Sequence, residues 1–364
     1  MNTFKKIGLT ALATSLVASS AYSADVTMSG AAGATWSTQS GNSGAAGDHG
    51  KGIGQDNSIS FSMSGELDNG WSVSAGTALT DAFALSSNNV KLTMGDWGTI
   101  MTGNASGGNA ASFDGNVPYA YEEVDDGGAS SLSTNILGST QDTGGLHWTL
   151  PAMDIAGLAV QAYLGYSPVA NDAAVAGGGV SGISTTWASG RDAGIAITHD
   201  SGLSLGAYVE EKDRQNTPTG GGDYFGGTWY VTYAMGPVSI GWQESYLDAG
   251  ASSSQANANT SKTVNTAAGL FEAEQYSVAF NVNDNLSVSY AKAEDTYDAQ
   301  GGATGGSATG DAVADVAMDM KSIQAAYSMG SMSIKAYRTE TDNVGYSTGG
   351  GSLTVNEIAL GLSF

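Results

Sequence analysis

The sequence predicts an all-β protein, a closed antiparallel barrel of sixteen strands that crosses a lipid bilayer. Three observations predict it: apolar residues alternate with small or polar ones, short turns alternate with long loops, and the chain ends on an apolar strand. Successive side chains of a strand point to opposite faces, so alternation gives each strand one apolar face and one polar face. In a bilayer-spanning barrel the apolar face contacts lipid and the polar face contacts a watery lumen.

The last strand shows the alternation most clearly. Ile358, Leu360, Leu362 and Phe364 occupy every second position, and Glu357 is one of the small or polar residues between them. A large aromatic at a chain end would be exposed in a soluble protein, because chain ends fray. At a membrane interface it fits the aromatic girdle of a barrel. Glu357 is therefore predicted to face the lumen.

The connections between the strands follow a second pattern. Short turns lie near Gly70, Asp96, Gly202, Gly236, Asp284 and Gly330. Long segments rich in Gly, Ser, Ala, Asn and Asp lie near residues 37–57, 105–143, 167–186, 211–227, 248–270, 296–312 and 343–351. Short periplasmic turns and long extracellular loops are typical of outer-membrane barrels. The strands are predicted at about 26–36, 58–65, 71–79, 89–95, 97–104, 144–150, 157–166, 191–200, 203–210, 228–235, 238–246, 273–282, 286–294, 317–328, 331–339 and 353–364.

The N-terminus predicts a cleaved secretory signal over residues 1–23, which leaves 24–364 as the barrel domain. Two lysines precede a short apolar core, and small residues follow at Ala21 and Ser23. Cleavage after Ser23 fits best, and cleavage after Ala24 is the alternative. The apolar core is too short to span a bilayer as an anchor.

The composition excludes several classes of protein. The chain has 364 residues and no cysteine, which excludes disulfide frameworks and thiolate metal sites. Its 53 glycines and 5 prolines favour tightly turning β structure. The net charge is −23, and it becomes −25 once the signal and its two lysines are removed. We expect no nucleic-acid binding, because there is no basic stripe to neutralise phosphates.

Three parts of the sequence carry a family resemblance: the hairpin from Phe61 to Trp71, the segment from Val90 to Thr99, and the terminal Phe364. In these the chain resembles a Gram-negative general diffusion porin of the sixteen-stranded, trimeric kind. The resemblance implies a passive, water-filled channel for small hydrophilic solutes and ions in the outer membrane. It implies homotrimers surrounded by outer-membrane lipid and lipopolysaccharide. It also implies a barrel-assembly machinery that reads the tail of Leu360, Leu362 and Phe364.

The resemblance further implies that the long loop after the fifth strand, at about 105–143, folds into the barrel and narrows the pore. The acidic residues predicted to form this constriction are Asp114, Glu122, Glu123, Asp125 and Asp126. The loop also carries apolar residues that could anchor it, namely Phe113, Val117, Pro118, Tyr119 and Tyr121. The alternative is an exposed acidic loop like the others.

Alternation places Lys91, His147 and Lys335 on the lumen face. The resembled family usually has several arginines on the wall opposite the loop, and no lumen arginine is evident here. An acidic constriction opposed by few positive charges predicts a moderate preference for cations. The preference should shrink with rising salt, because salt screens wetted charges.

Other functions find less support in the sequence. The three histidines are scattered and have no Glu partner at helical spacing. The sequence contains neither a nucleophile elbow nor a phosphate-binding loop. We therefore expect no enzymatic activity, no cofactor and no resident metal. Calcium could bind acidic loop clusters such as Asp125 and Asp126, although their spacing matches no EF-hand. Two alternatives stay open: a substrate-specific outer-membrane channel, and a secreted β-rich adhesin. A solenoid adhesin is disfavoured because its repeats would have a fixed period.

Overall fold

In the computed structural model the chain forms one antiparallel sheet that closes on itself. The structure describes residues 25–42, 49–81, 84–104, 108–124, 144–170, 187–215, 223–248, 270–298, 316–344 and 351–364. The predicted signal at 1–23 lies outside the described residues, as do Asp125 and Asp126. Within the described ranges, no helix has the length and apolar character needed to cross a membrane.

Seventeen strand segments make up the sheet. They are β1 (Asp25–Gly41), β2 (His49–Glu66), β3 (Ser72–Thr80), β4 (Ala84–Thr93), β5 (Thr99–Asn104), β6 (Leu146–Thr149), β7 (Met153–Ile155), β8 (Leu158–Ser167), β9 (Trp187–His199), β10 (Leu203–Arg214), β11 (Tyr224–Met235), β12 (Val238–Asp248), β13 (Leu270–Asn283), β14 (Leu286–Asp298), β15 (Val316–Met329), β16 (Met332–Asp342) and β17 (Ser352–Ser363). Short 3-10 turns lie at Gly95–Trp97 and Ala110–Ser112.

Two of these segments, β6 and β7, are halves of one barrel strand. Both pair with β8, and the gap between them contains Pro151. Proline has no backbone N–H and cannot donate to a strand ladder, so the pairing is interrupted there. The barrel therefore has sixteen strands, which confirms the predicted number and the all-β class.

The barrel closes between its first and last strands. β1 pairs with β2 along one edge and with β17 along the other. The pairing extends to the chain end: the Gly30 N–H donates to the Phe364 carbonyl at 3.1 Å, and the Phe364 N–H donates to the Gly30 carbonyl at 2.8 Å. Closure satisfies backbone groups that would otherwise face lipid without partners.

The two faces of the barrel differ as the alternation predicts. The outer face exposes large apolar side chains, including the aromatics Trp36, Trp242, Tyr290 and Phe364. Trp71 and Tyr233 are half-buried. The inner face carries buried polar side chains, among them Gln243, Gln275, Ser277, Ser289 and Gln324. An apolar exterior around a polar interior is the arrangement of a membrane barrel rather than of a soluble β protein.

The prediction of a loop over 37–57 is wrong for most of that segment. β1 continues to Gly41 and β2 begins at His49, and the two pair in register up to Ser40 opposite His49. This part of the hairpin is rich in polar residues and glycine on both faces, so it lacks the two-residue apolar period. The backbone ladder continues regardless, because hydrogen bonding between strands does not depend on side-chain polarity.

Candidate functional site

Residues 108–124, which follow β5, enter the barrel and lie against the inner face of the distant strands. The first attachment is Gln243 on β12, which is fully buried. Its Oε1 accepts a hydrogen bond from the Asn116 N–H at 2.7 Å, and its Nε2 donates to the Phe113 carbonyl at 2.8 Å. One side-chain amide thus serves two backbone groups of the loop, as a donor and as an acceptor.

The second half of the loop is attached to the next strands in the same manner. The Ser277 hydroxyl on β13 donates to the Pro118 carbonyl, and the Ala120 N–H donates to the Ser289 hydroxyl on β14 at 2.9 Å. Gln324 on β15 accepts from the Tyr121 and Glu122 N–H groups at 2.9 and 3.1 Å. A polar inner wall therefore replaces water as the partner of loop backbone groups, which must be satisfied wherever they are buried.

Phe113 is the central apolar anchor of the loop. Its ring is fully buried, stacks on Tyr208 with centroids 5.1 Å apart, and meets the edge of Tyr163 at the same distance. A Cβ at Gly194 would lie 2.6 Å from the ring, so this position on β9 must lack a side chain for Phe113 to fit. Tyr119, predicted as another anchor, is instead 41% exposed.

The end of the described loop is anchored by Val124. This side chain is 1% exposed and belongs to an apolar cluster on the inner face of β11–β15 that includes Phe271, Met318 and Met320. A second apolar cluster, formed by Tyr337, Leu353 and Val355 on β16 and β17, packs against Tyr121 of the loop.

The predicted constriction acids lie in this inward loop as far as the structure describes it. Asp114 is exposed, and Glu122 and Glu123 are half-buried. The Glu123 carboxylate occupies the space where a side chain of Gly115 would project. Gly115 has a φ of 57°, in the left-handed region that favours glycine. The role of these carboxylates in narrowing the pore stays a prediction.

Lys91 on β4, Lys335 on β16 and Glu357 on β17 lie on the inner face in register with lumen-facing neighbours. The Tyr121 hydroxyl donates to Glu357 Oε1 at 2.8 Å, and Lys335 Nζ lies 5.1 Å from the Tyr121 ring centroid. Burial raises the pKa of the Tyr121 hydroxyl, and the hydrogen bond to Glu357 raises it further. Tyr121 therefore remains a neutral donor at physiological pH, and the loop side chain connects Glu357 and Lys335 on the wall.

His147 faces inward, but it does not line open water. It is 2% exposed, and the start of the loop covers it. The Asn109 N–H donates to its Nδ1 at 3.3 Å, and a Cβ at Gly108 would collide with its ring. The prediction of an open lumen position for His147 is thus corrected: alternation gives the face of a strand and carries no information on what covers that face.

The sequence reasoning missed Asp56, which lies on the inner face of β2 opposite Gly33 of β1. Its carboxylate extends over Gly33, where any side chain would collide with it. Both residues line a cavity of about 500 Å³ that also includes Tyr121 and Lys335. The sequence does contain a signal, because Asp56 has the same parity as Ser58 in the neighbouring alternating stretch, but the low apolar content of its own segment predicts a loop.

Calcium binding stays untested. Among the described residues, Glu211, Asp213 and Asp223 bring carboxylate oxygens within 4.8 Å of one another near the ends of β10 and β11. Asp213 already forms an ion pair with Arg191 at 3.2 Å. This exposed group does not establish a metal site.

Comparison with known proteins places this geometry in a family. A family model described as Gram-negative porin matches residues 8–243. No curated protein sequence matches the chain.

Solved structures share the fold at low sequence identity. A porin refined at 1.8 Å superposes with a TM-score of 0.61 at 18% identity, covering 93% of this chain and 100% of that one. OmpF of Salmonella typhi in complex with daunomycin gives 0.64 at 12% identity, covering 93% and 97%. An anion-selective porin from Comamonas acidovorans gives 0.59 at 13% identity, covering 94% and 100%. Since that last protein is anion-selective, the shared barrel does not determine the sign of ion selectivity.

Proposed function

The chain belongs to the Gram-negative porin family, and from that premise we propose that it forms a passive, water-filled channel for small hydrophilic solutes and ions, with a moderate preference for cations. The family and the closed barrel point to the outer membrane as its location. The cation preference is argued from the charges on the inner face.

The observation that carries this proposal is that carboxylates lie both on the inward loop and on the inner face of the barrel wall. Asp114, Glu122 and Glu123 belong to the loop, and Asp56 lies on the inner face of β2, where it lines a cavity together with Tyr121 of the loop. Carboxylates that face a narrow water-filled path attract cations and repel anions.

The described positive charges on the inner face are few, and two of them, buried Lys212 and half-buried Arg214, stack on the Trp187 ring. Lys91 and Lys335 lie on the inner face, but Lys335 is close to Tyr121, which is hydrogen-bonded to Glu357. His147 is covered by the loop and does not face the water path. The balance on the surface available to ions is therefore acidic.

The expected strength follows from Coulomb's law. A cation about 5 Å from a carboxylate in water gains about 0.8 kcal/mol, which corresponds to about a fourfold local enrichment before screening. Screening lengths fall from about 10 Å at 0.1 M to about 3 Å at 1 M ionic strength. The preference should therefore be clear in dilute salt and small in concentrated salt.

The zero-current potential across a KCl gradient in planar bilayers tests the proposal. Replacing both Glu122 and Glu123 by Gln, or Asp56 by Asn, should move the potential toward anion preference while conductance persists. Glu294→Gln is the matched control, because it removes one carboxylate from the outer face. The cation preference would be refuted if the wild-type pore prefers anions in dilute salt. It would also be refuted if every lumen variant has the same zero-current potential as the wild type.

We further propose that the channel is a homotrimer. Support comes from small or polar outward positions on β1–β3, where apolar side chains would be expected if lipid covered that face: Ala32, Ala34, Asn57, Ala75 and Thr77. Outer-membrane lipid and lipopolysaccharide would contact the remaining outer face. The barrel-assembly machinery would recognise the tail of Leu360, Leu362 and Phe364, whose side chains are exposed on the outer face.

A further inference from the structure

A row of inner-face residues crosses the barrel wall beneath the start of the loop. Strand register aligns Lys91, Met101, His147, Gly165, Asp192 and Glu210 across β4, β5, β6, β8, β9 and β10. Gly165 separates His147 from Asp192, and a Cβ on it would collide with the Asp192 carboxylate. The missing side chain allows the imidazole and the carboxylate to approach across one intervening strand. Both side chains are almost fully buried, at 2% and 0% exposure.

The hydrogen bonds of this group correspond to one protonation state. The Asn109 N–H donates to His147 Nδ1 at 3.3 Å, so Nδ1 must carry a lone pair. The Asn109 side-chain amide donates to Asp192 Oδ1 at 2.8 Å. Asn109, at the start of the loop, is thus held by both buried side chains.

One hydrogen-bond acceptor of this group, Asp192 Oδ2, is buried and has no hydrogen-bond donor within the described part of the chain. It lies 3.9 Å from His147 Nδ1, too far for a hydrogen bond and close enough for one after a small movement. A buried carboxylate oxygen without a donor is unfavourable, and a proton on Nδ1 would supply the missing donor.

We propose that His147, Asp192 and Asn109 form a proton-operated anchor for the start of the inward loop. When His147 gains a proton at Nδ1, that N–H faces the Asn109 N–H, and two donors cannot share a hydrogen bond. The imidazolium turns to Asp192 Oδ2 and forms an ion pair. The Asn109 N–H loses its acceptor, and the backbone at Asn109 moves away from His147, while Phe113, Gln243 and Gln324 continue to hold the rest of the loop.

The charges around His147 are consistent with this exchange. Lys91 lies two strands away on β4, and Asp192 and Glu210 lie on the other side of His147. Among the described residues, the other inner-face neighbours on adjacent elements are Met101 on β5, Tyr163 on β8, Tyr208 on β10 and Asn109 in the loop. Asp192 is the nearest acidic group that the structure describes.

Nitrogen-15 NMR of the wild-type protein, labelled at histidine, tests the starting state. Near neutral pH the Nδ1 of His147 should show the resonance of an unprotonated acceptor and Nε2 that of a protonated nitrogen. His49→Gln and His199→Gln identify the signals of the two exposed histidines. A proton on Nδ1 at neutral pH would overturn the proposal, and this measurement needs no variant of a buried residue.

A spin label tests the movement. The chain has no cysteine, and Ser112 is exposed, so Ser112→Cys provides a single labelling position beside Asn109. Label mobility should rise when the pH is lowered from about 8 to about 5. His147→Gln and Asp192→Asn should lose that response, and His199→Gln, at an exposed turn, should retain it.

A label with equal mobility at both pH values, or a response that persists in His147→Gln, would contradict the anchor. The proposal rests on the inward placement of the loop and not on ion selectivity. The spectroscopic results therefore decide it even if the channel proves not to prefer cations.

Discussion

Gln324 is the side chain whose loss should most weaken the attachment of the inward loop to the wall. It is 2% exposed on β15 and accepts hydrogen bonds from the Tyr121 and Glu122 N–H groups. Its Nε2 also donates to the Glu122 carbonyl. Replacing Gln324 by Ala removes all three hydrogen bonds and leaves the barrel ladder intact, because that ladder uses backbone groups only.

The magnitude follows from these contacts. A net contribution of about 1 kcal/mol per hydrogen bond gives about 3 kcal/mol for the three. Lumen water can reach the freed backbone groups, so no further penalty for unsatisfied burial is added. Since about 1.4 kcal/mol corresponds to a tenfold change in an equilibrium constant, local opening should become about a hundredfold more frequent.

Amide hydrogen exchange measures this opening directly. The amides of Tyr121 and Glu122 should exchange about a hundredfold faster in Gln324→Ala, in keeping with the lost hydrogen bonds. The amide of Asn116 is held by Gln243 and should keep its protection. Gln55→Ala, on the outer face of β2, is the matched control. If the Tyr121 and Glu122 amides exchange at wild-type rates in Gln324→Ala, Gln324 does not hold the loop and the proposed attachment is wrong.

Two further predictions concern assembly. Ala34→Arg should convert trimers to monomers in mild detergent, because it places a charge in the proposed subunit contact. The control Ala207→Arg on β10 should leave the mass of the trimer unchanged. A wild-type mass of one chain would contradict the trimer. Phe364→Ser should accumulate unassembled in the periplasm, because it removes the terminal outer-face aromatic while the backbone pairing with Gly30 stays possible. Normal surface levels of that variant would show that the terminal aromatic is not required.

The sequence by itself determined the architecture and the facing of individual residues. A two-residue apolar period can be satisfied only by a strand with one apolar and one polar face, and sixteen such stretches bring both ends of the chain to the same edge. For that reason the closure of β17 on β1 and the inward facing of Lys91, Lys335 and Glu357 followed from local pattern. Where both faces of a strand are polar, the apolar period gives no information on secondary structure. The sequence therefore does not predict the extension of β1 and β2 that carries Asp56.

Only the tertiary structure decided what covers each inward residue. Alternation places both His147 and Lys91 on the inner face. His147 is buried under Asn109, whereas Lys91 is partly exposed. Gln324 holds a loop more than two hundred positions away, and Asp192 meets His147 across Gly165 because register brings β6, β8 and β9 side by side. Local alternation specifies only the face of the sheet on which a side chain lies. The side chains that it contacts there depend on which distant strands lie opposite, and closure of the whole barrel sets that arrangement.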